Sequence, residues 1–296
     1  MKILMTGLTG LVGRALSSAL IRAGHQVAPI RRLPGASPGE VLWDALDSQL
    51  RGGTDAVIHL AGENLTTGRW NAEKKQRIVA SRVQGTTLLV QTILQNPPLP
   101  RVLLSASAIG IYGNRGDEIL TEDSPPGSGF AADLCRRWEQ ATAPAAAAGI
   151  RVVSLRIGIV LSKSGGALAK MLLPFRLGLG GTLGNGSQFV SWITLDDAIA
   201  AMIHLLDRSQ LSGPVNIVGL NSATNRQLTK ALGKALQRPT IFPVPAQLAR
   251  LAFGEMADEL LFASMRVVPQ RLQNDGFRFQ HPDVDEALAY ELAKSA

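Results

Sequence analysis

Gly7, Gly10 and Gly13 stand between a short apolar stretch, Lys2 to Thr6, and a run in which Leu11, Val12, Ala15, Leu16, Ala19, Leu20 and Ala23 recur at helical spacing. A glycine triplet alone says little. Between a strand and an amphipathic helix it is the turn that lets backbone approach a pyrophosphate, with free N–H groups and the positive end of the helix dipole facing the anion. The next strand, Gln26 to Arg31, then decides which nucleotide suits the site. A carboxylate at its end would select the ribose hydroxyls of NAD, but the sequence reads Ile30-Arg31-Arg32, with no acid nearby. Planar, permanently charged guanidinium groups suit a 2′-phosphate, and one can stack on adenine. The expected cofactor is therefore NADP(H). The plain alternative is two solvated surface arginines.

Other reactive residue types give less. His25, His59, His204 and His281 show no metal-ligand spacing, so no metal site is expected. Cys135 has no histidine beside it in sequence and reads as a buried helical thiol. Asp117, Glu118, Glu122 and Asp123 fall in a polar loop, where they form a solvated face or supply a general base.

The elements that would position these groups alternate in type. Further strands are expected at 41–44, 55–60, 102–105 and 151–160, with helices over about 71–95 and 131–148. That alternation predicts an α/β Rossmann fold with a doubly wound, mostly parallel sheet. After Ser162 glycines crowd the chain up to Gly186. A helix follows from about Leu195 to Leu206, and Val215–Val218 can rejoin the sheet. The last 75 or so residues read as mainly helical. The expected division is a nucleotide-binding domain over 1–163, its sheet completed by 189–218, and a smaller, mainly helical substrate-side lobe of 164–188 and 219–296.

Thr6-Gly-x-x-Gly-x-x-Gly13, His59-Leu-Ala-Gly62, and Ser105-Ala-Ser107 running to Tyr112-Gly113 together resemble an extended short-chain dehydrogenase/reductase. Leu60-Ala-Gly-Glu-Asn64, Ser81-Arg82, Trp138-Glu139, the run Pro174–Gly181 and the tail Val268-Pro269, Gly276-Phe277 and Glu286–Leu288 are similar to its atypical, YfcH-like "epimerase family" branch. Leu8 and Thr194 depart from that branch's usual glycine and histidine.

The resemblance implies that Gly7, Thr9, Gly10, Leu11 and Val12 line the pyrophosphate, and that Arg31 and Arg32 take the 2′-phosphate and adenine. Leu60 and Ala61 would cross the ribose side, with Arg77, Arg82 and Val160 completing the envelope. Ser107 falls where the superfamily's carbonyl-polarising serine is expected, making it the candidate catalytic residue. The usual tyrosine should lie near Phe130 or Ala131, with its lysine four residues on. Neither is there, and Cys135 takes roughly the lysine's place. Tyr112 is a candidate displaced acid or a packing residue. Tyr290-x-x-x-Lys294 has the right spacing but lies at the chain's end, as any terminal helix could produce. Arg176, Gln188 and Trp192 are the candidate substrate contacts, in a segment whose counterpart in extended members often meets a nucleotide sugar. Two functions remain open: an epimerase-like oxidoreductase on an unknown substrate, or a non-catalytic NADP(H) sensor or scaffold.

Composition sets outer limits. Of 296 residues 46% are hydrophobic and 18% charged, as in globular proteins. No apolar run reaches the roughly 18 residues of a membrane span. The charge of +7 suits a polyanionic dinucleotide better than nucleic acid, since basic residues are scattered and aromatics are only 5%. Neither nucleic acid nor membrane is an expected partner. One cysteine excludes an intrachain disulfide, and a cytoplasmic protein is expected.

Overall fold

The computed structural model describes residues 1–34, 41–43, 46–207 and 210–294, with the side chains of 32–34 and 41–42 outside the description. The chain forms two compact units. The first comprises Met1–Ala108, Asp133–Arg156 and Ile199–Val215, and the second Ile109–Ala132, Ile157–Ala198 and Asn216–Ala296.

The first unit is built on a six-stranded sheet. Across it lie Gly213–Ile217, Arg151–Ile157, Val102–Ala108, Ala56–His59, Lys2–Thr6 and Gln26–Ile30. The last four pair in parallel. Lys2–Thr6 has the next strand in sequence on one side and Ala56–His59 on the other. Connections therefore leave it in opposite directions, which opens a crevice at its carboxyl end. Leu4, Val57 and Leu103 on the sheet pack against Leu89 and Ile93 of a helix and Ile30 of the edge strand, all at most 2% exposed. The short strand at 41–43 is not in this sheet: it forms an antiparallel hairpin with Arg32–Pro34.

The helix expected over 71–95 is interrupted. Asn71 caps its start by accepting from Lys74 N at 2.8 Å, and a π-helical turn, Ala80–Gln84, separates the α-helical stretches Ala72–Val79 and Gly85–Gln95. The extra residue in that turn points Ser81 and Arg82 inward. The helix expected over 131–148 is likewise two, Phe130–Gln140 and Ala143–Ala147, the second opened by Pro144.

In the second unit Ile159–Leu161 pairs in parallel with Trp192–Thr194. Leu161, Leu168, Leu172, Phe175, Leu228 and Leu288 close around Trp192. The C-terminal part is mainly helical, with Asn225–Leu236 held by a capping box between Thr224 and Gln227.

Candidate functional site

The glycine turn has the geometry its sequence predicts. Gly7 adopts φ +78°, and a Cβ there would lie 2.7 Å from the Leu60 carbonyl carbon. A Cβ on Gly13 would lie 2.1 Å from Gly7 O, so the helix Leu11–Arg22 can sit this close only with glycine. Gly10 caps that helix with no side-chain bond, and the first helical turn holds no acid. The N–H groups of Leu11 and Val12 are thus left for an anion.

A hydrogen-bond chain fixes the opposite wall. Thr6 Oγ1 accepts from Leu60 N (3.1 Å) and Ala61 N (3.2 Å), so its own proton goes to His59 Nδ1 at 2.8 Å. The other ring nitrogen, Nε2, then carries the hydrogen and donates to Thr86 Oγ1 at 3.0 Å, where Trp138 Nε1 also donates. Burial, with the Arg82 charge adding, depresses the His59 pKa to about 4 and keeps the ring neutral.

Between these walls lies a cavity of about 670 Å³. It brings together Gly7, Thr9, Gly10, Arg31, Leu60 and Ala61 of the expected set, and adds Leu8, Ile30, Trp43 and Ser81, none of them expected as a cofactor contact. Arg31 is exposed at its rim, and no carboxylate lines it among the described residues. Arg32 begins the hairpin strand, but its side chain lies outside the described residues. Trp43 is fixed by Nε1 donating to Gly85 O at 3.2 Å and meets His59 edge-on at 5.6 Å. The pyrophosphate of a dinucleotide fits this donor set.

Two expected members of the envelope are spoken for. Arg77 lies on the helix surface, paired with Glu73. Arg82 is 8% exposed, donates to Glu63 O at 3.0 Å and lies over the Trp138 ring at 5.0 Å. Its guanidinium carbon sits 3.0 Å from where a Gly62 Cβ would be. Burial lowers its pKa to about 10, still charged at neutral pH. Val160 belongs to the second unit, in the strand pair with Ile193.

Ser107 ends the strand Val102–Ala108 and is 3% exposed. Its hydroxyl donates to Glu139 Oε1 at 2.7 Å. Arg156 grips the same carboxylate twice, Nε to Oε1 at 2.9 Å and Nη2 to Oε2 at 3.0 Å. The one proton of Ser107 is committed to Glu139, so as folded the hydroxyl offers lone pairs, not a donor. Glu139 was only part of a matching dipeptide in sequence, and Arg156 carried no signal beyond an apolar strand. Cys135 lies nearby, and burial plus the Glu139 charge push its thiol up to about 12, an unreactive state.

In the second unit a cavity of about 550 Å³ is lined by Asn114, Asn185, Gln188, Phe189, Arg250 and Phe262, among others. Gln188 is mostly buried and donates to Leu183 O (3.3 Å) and Leu261 O (3.2 Å). Arg250 lies over Phe262 at 5.4 Å. Trp192, expected to stack on a ligand, is instead 1% exposed within the core and offers no free face. Arg176 is exposed at its helix end and does not line this cavity. Tyr112 is fully buried and donates to Asn216 Oδ1 at 2.7 Å, a packing role. Tyr290 donates to Asp196 Oδ2 at 2.6 Å, and Lys294 pairs with the same oxygen at 3.1 Å, so this spacing belongs to a local ion-pair knot. The helix Phe130–Gln140 carries neither tyrosine nor lysine. At its start the N–H groups of Phe130 and Ala131 donate to the Glu259 carboxylate, at 3.2 and 3.0 Å.

A family model described as the NAD dependent epimerase/dehydratase family matches residues 3–218, and a domain of unknown function, DUF1731, matches 244–291. An epimerase family protein of Mycobacterium bovis is 40% identical over 294 residues, spanning 98% of this chain and 97% of the relative. The crystal structure of human epimerase family protein SDR39U1 with NADPH superposes with a TM-score of 0.88 at 32% identity, covering 99% of this chain and 100% of that one. A nucleoside-diphosphate sugar epimerase from Corynebacterium glutamicum superposes at 0.80 with 37% identity, covering 99% of this chain but 58% of that one.

Proposed function

This chain belongs to the NAD dependent epimerase/dehydratase family, and from that premise we propose that it is an NADP(H)-binding, epimerase-like oxidoreductase acting on a nucleotide sugar. The observation that carries the cofactor reading is Arg31 at the rim of a cavity whose described lining holds no carboxylate, facing the glycine turn. NADPH in the human relative supports the same reading. The nucleotide sugar is supported by the second unit's cavity, where Phe189, Phe262, Arg250 and Gln188 offer ring faces, charge and an amide, and by the name of the Corynebacterium relative.

Gly7, Thr9, Gly10, Leu11 and Val12 would hold the pyrophosphate, Arg31 and Arg32 the 2′-phosphate, and Leu60, Ala61 and Trp43 the ribose and adenine side, with Arg77, Arg82 and Val160 as further candidates. When bound, the nicotinamide supplies or accepts a hydride. Ser107 is the proposed catalytic residue, with a role set by Glu139. In the oxidising direction its lone pair takes the carbinol proton while its own proton passes to Glu139, which Arg156 keeps oriented.

Fluorescence titration is the first test. NADPH should bind at least about tenfold more tightly than NADH, and Arg31→Asp with Arg32→Ala should remove that preference. Equal affinities in the unaltered protein would overturn the reading. Turnover of a sugar nucleotide, followed at the reduced-nicotinamide absorbance, should be lost in Ser107→Ala and Glu139→Gln. A second reading, a non-catalytic NADP(H) sensor or scaffold, is favoured by one observation: the helix Phe130–Gln140 lacks a tyrosine and a lysine. Tight NADPH binding with silence across a broad panel of sugar nucleotides and small carbonyls would select it.

A further inference from the structure

Positive charge is distributed unevenly in the second unit. Its stretches 157–195 and 216–254 contain eight lysines and arginines and no aspartate or glutamate. Among the described residues no carboxylate pairs with Arg176, Arg226, Lys230 or Arg238. Arg226 and Arg238 instead donate to backbone carbonyls, of Asn185 at 2.6 Å and of Arg176 at 2.9 Å. The acids that flank these stretches in sequence are engaged: Asp196 with Tyr290 and Lys294, Asp197 with the N–H groups of Gln280 and His281, Asp258 with Arg250, and Glu259 with Phe130 and Ala131.

The same stretches expose large apolar side chains. Leu173 is 67% exposed, Leu177 65%, Leu179 60%, Ile241 71%, Phe242 55% and Leu248 58%. They lie on neighbouring strips of chain. Arg238 bonds the end of the helix Gly166–Arg176, Val244 N donates to Thr182 O at 2.8 Å, and Gly184 N donates to Val244 O at 2.9 Å. A Cβ on Gly181 would stand 1.6 Å from Phe242 O, so the two strips touch there. Arg226, Lys230 and Ile241 border one shallow depression of about 270 Å³, which puts charge and apolar surface side by side. Large apolar side chains exposed together mark a surface that meets a partner, a membrane or a ligand.

We propose that this face docks on an anionic phospholipid surface, with Leu177, Leu179, Ile241 and Phe242 entering the headgroup boundary and Arg226, Lys230 and Arg238 meeting lipid phosphates. Exposed apolar side chains beside basic ones that no carboxylate neutralises is the pattern of interfacial attachment. A second copy of the chain would set Arg226, Lys230 and Arg238 against their own counterparts, which opposes self-association. Nucleic acid would take the arginines but leave the leucines uncovered. No helix among the described residues is long and apolar enough to cross a membrane, so the attachment is peripheral. It reverses the sequence expectation of no membrane partner, and it does not depend on the cofactor reading.

The test is flotation of the full chain with vesicles of phosphatidylglycerol and phosphatidylcholine in equal parts, against pure phosphatidylcholine. Binding to the mixed vesicles should exceed binding to the neutral ones by roughly tenfold and fall as salt rises. Ile241→Glu with Phe242→Glu should abolish it, and Lys230→Glu should weaken it, with NADPH titration and circular dichroism unchanged. No flotation, or equal flotation on neutral vesicles, overturns the proposal. So does binding that survives Ile241→Glu with Phe242→Glu, or a dimer in sedimentation equilibrium that the same substitutions dissociate, which would make a second copy the occupant.

Discussion

Arginine does different work in the two units. In the first, Arg156 is buried and holds Glu139 through two bonds, Arg82 lies over Trp138, and Arg151 donates to the carbonyls of Leu205, Leu206 and Leu211 at 2.9–3.0 Å. Each is one of a kind in a fixed place. In the second unit Arg226, Arg238 and Arg250 are exposed, the first two donating to backbone carbonyls and the third paired with Asp258. A buried cation specifies geometry, and its loss strands a partner. An exposed one adds to a sum that tolerates the loss of any single member.

The sharpest way to break this comparison is Arg156→Met. It takes the cation from the Glu139 carboxylate, 16% exposed at its side chain, and leaves it the Ser107 hydroxyl. Stability to denaturant should fall by about 3–5 kcal/mol. Adding Glu139→Leu should recover part of that, because the stranded charge, not the lost bond, dominates the cost. A loss below about 1 kcal/mol in the single variant would show that Arg156 belongs with the exposed arginines.

His59 tests the same unit with pH. Folded, the ring titrates near 4; unfolded, near its ordinary 6.5. The unfolded chain therefore binds the proton first as pH falls. The stabilisation is complete above about pH 6.5 and is lost on going down to about 4, amounting to about 3 kcal/mol. Unfolding free energy against pH should show that slope, and His59→Phe should remove it while lowering stability at pH 7. A slope unchanged by His59→Phe would place its origin elsewhere.

The difference between the units also accounts for what the sequence disclosed. Gly7 and Gly13 were legible because a left-handed turn and a helix packed directly on it forbid side chains at set spacings, and Arg31 because a missing acid at a strand end is a local fact. Glu139 and Arg156 lie 17 residues apart on a helix and a strand, and nothing local marks them as partners of Ser107. Trp192 misled because it follows the glycine-rich run that ends at Gly186, whereas the space around it is filled by Leu168, Leu172 and Leu228 from other elements. The π-helical turn at Ala80–Gln84 left no trace in the apolar period, though it is what turns Arg82 inward.

The smallest effect belongs to Arg250→Met. Its Nε meets Asp258 Oδ1 at 2.8 Å, but both side chains are half exposed, at 51% and 52%. Water competes for each, and holding two long side chains in register costs entropy. The guanidinium also covers the Phe262 ring, and a methionine keeps much of that cover. The expected loss is below about 1 kcal/mol and should shrink further in high salt, where Arg156→Met keeps its full effect. Measured side by side at low and high ionic strength, the two variants separate a cation that fixes a structure from one that contributes to a field. Equal losses, or equal salt dependence, would erase the distinction between the units.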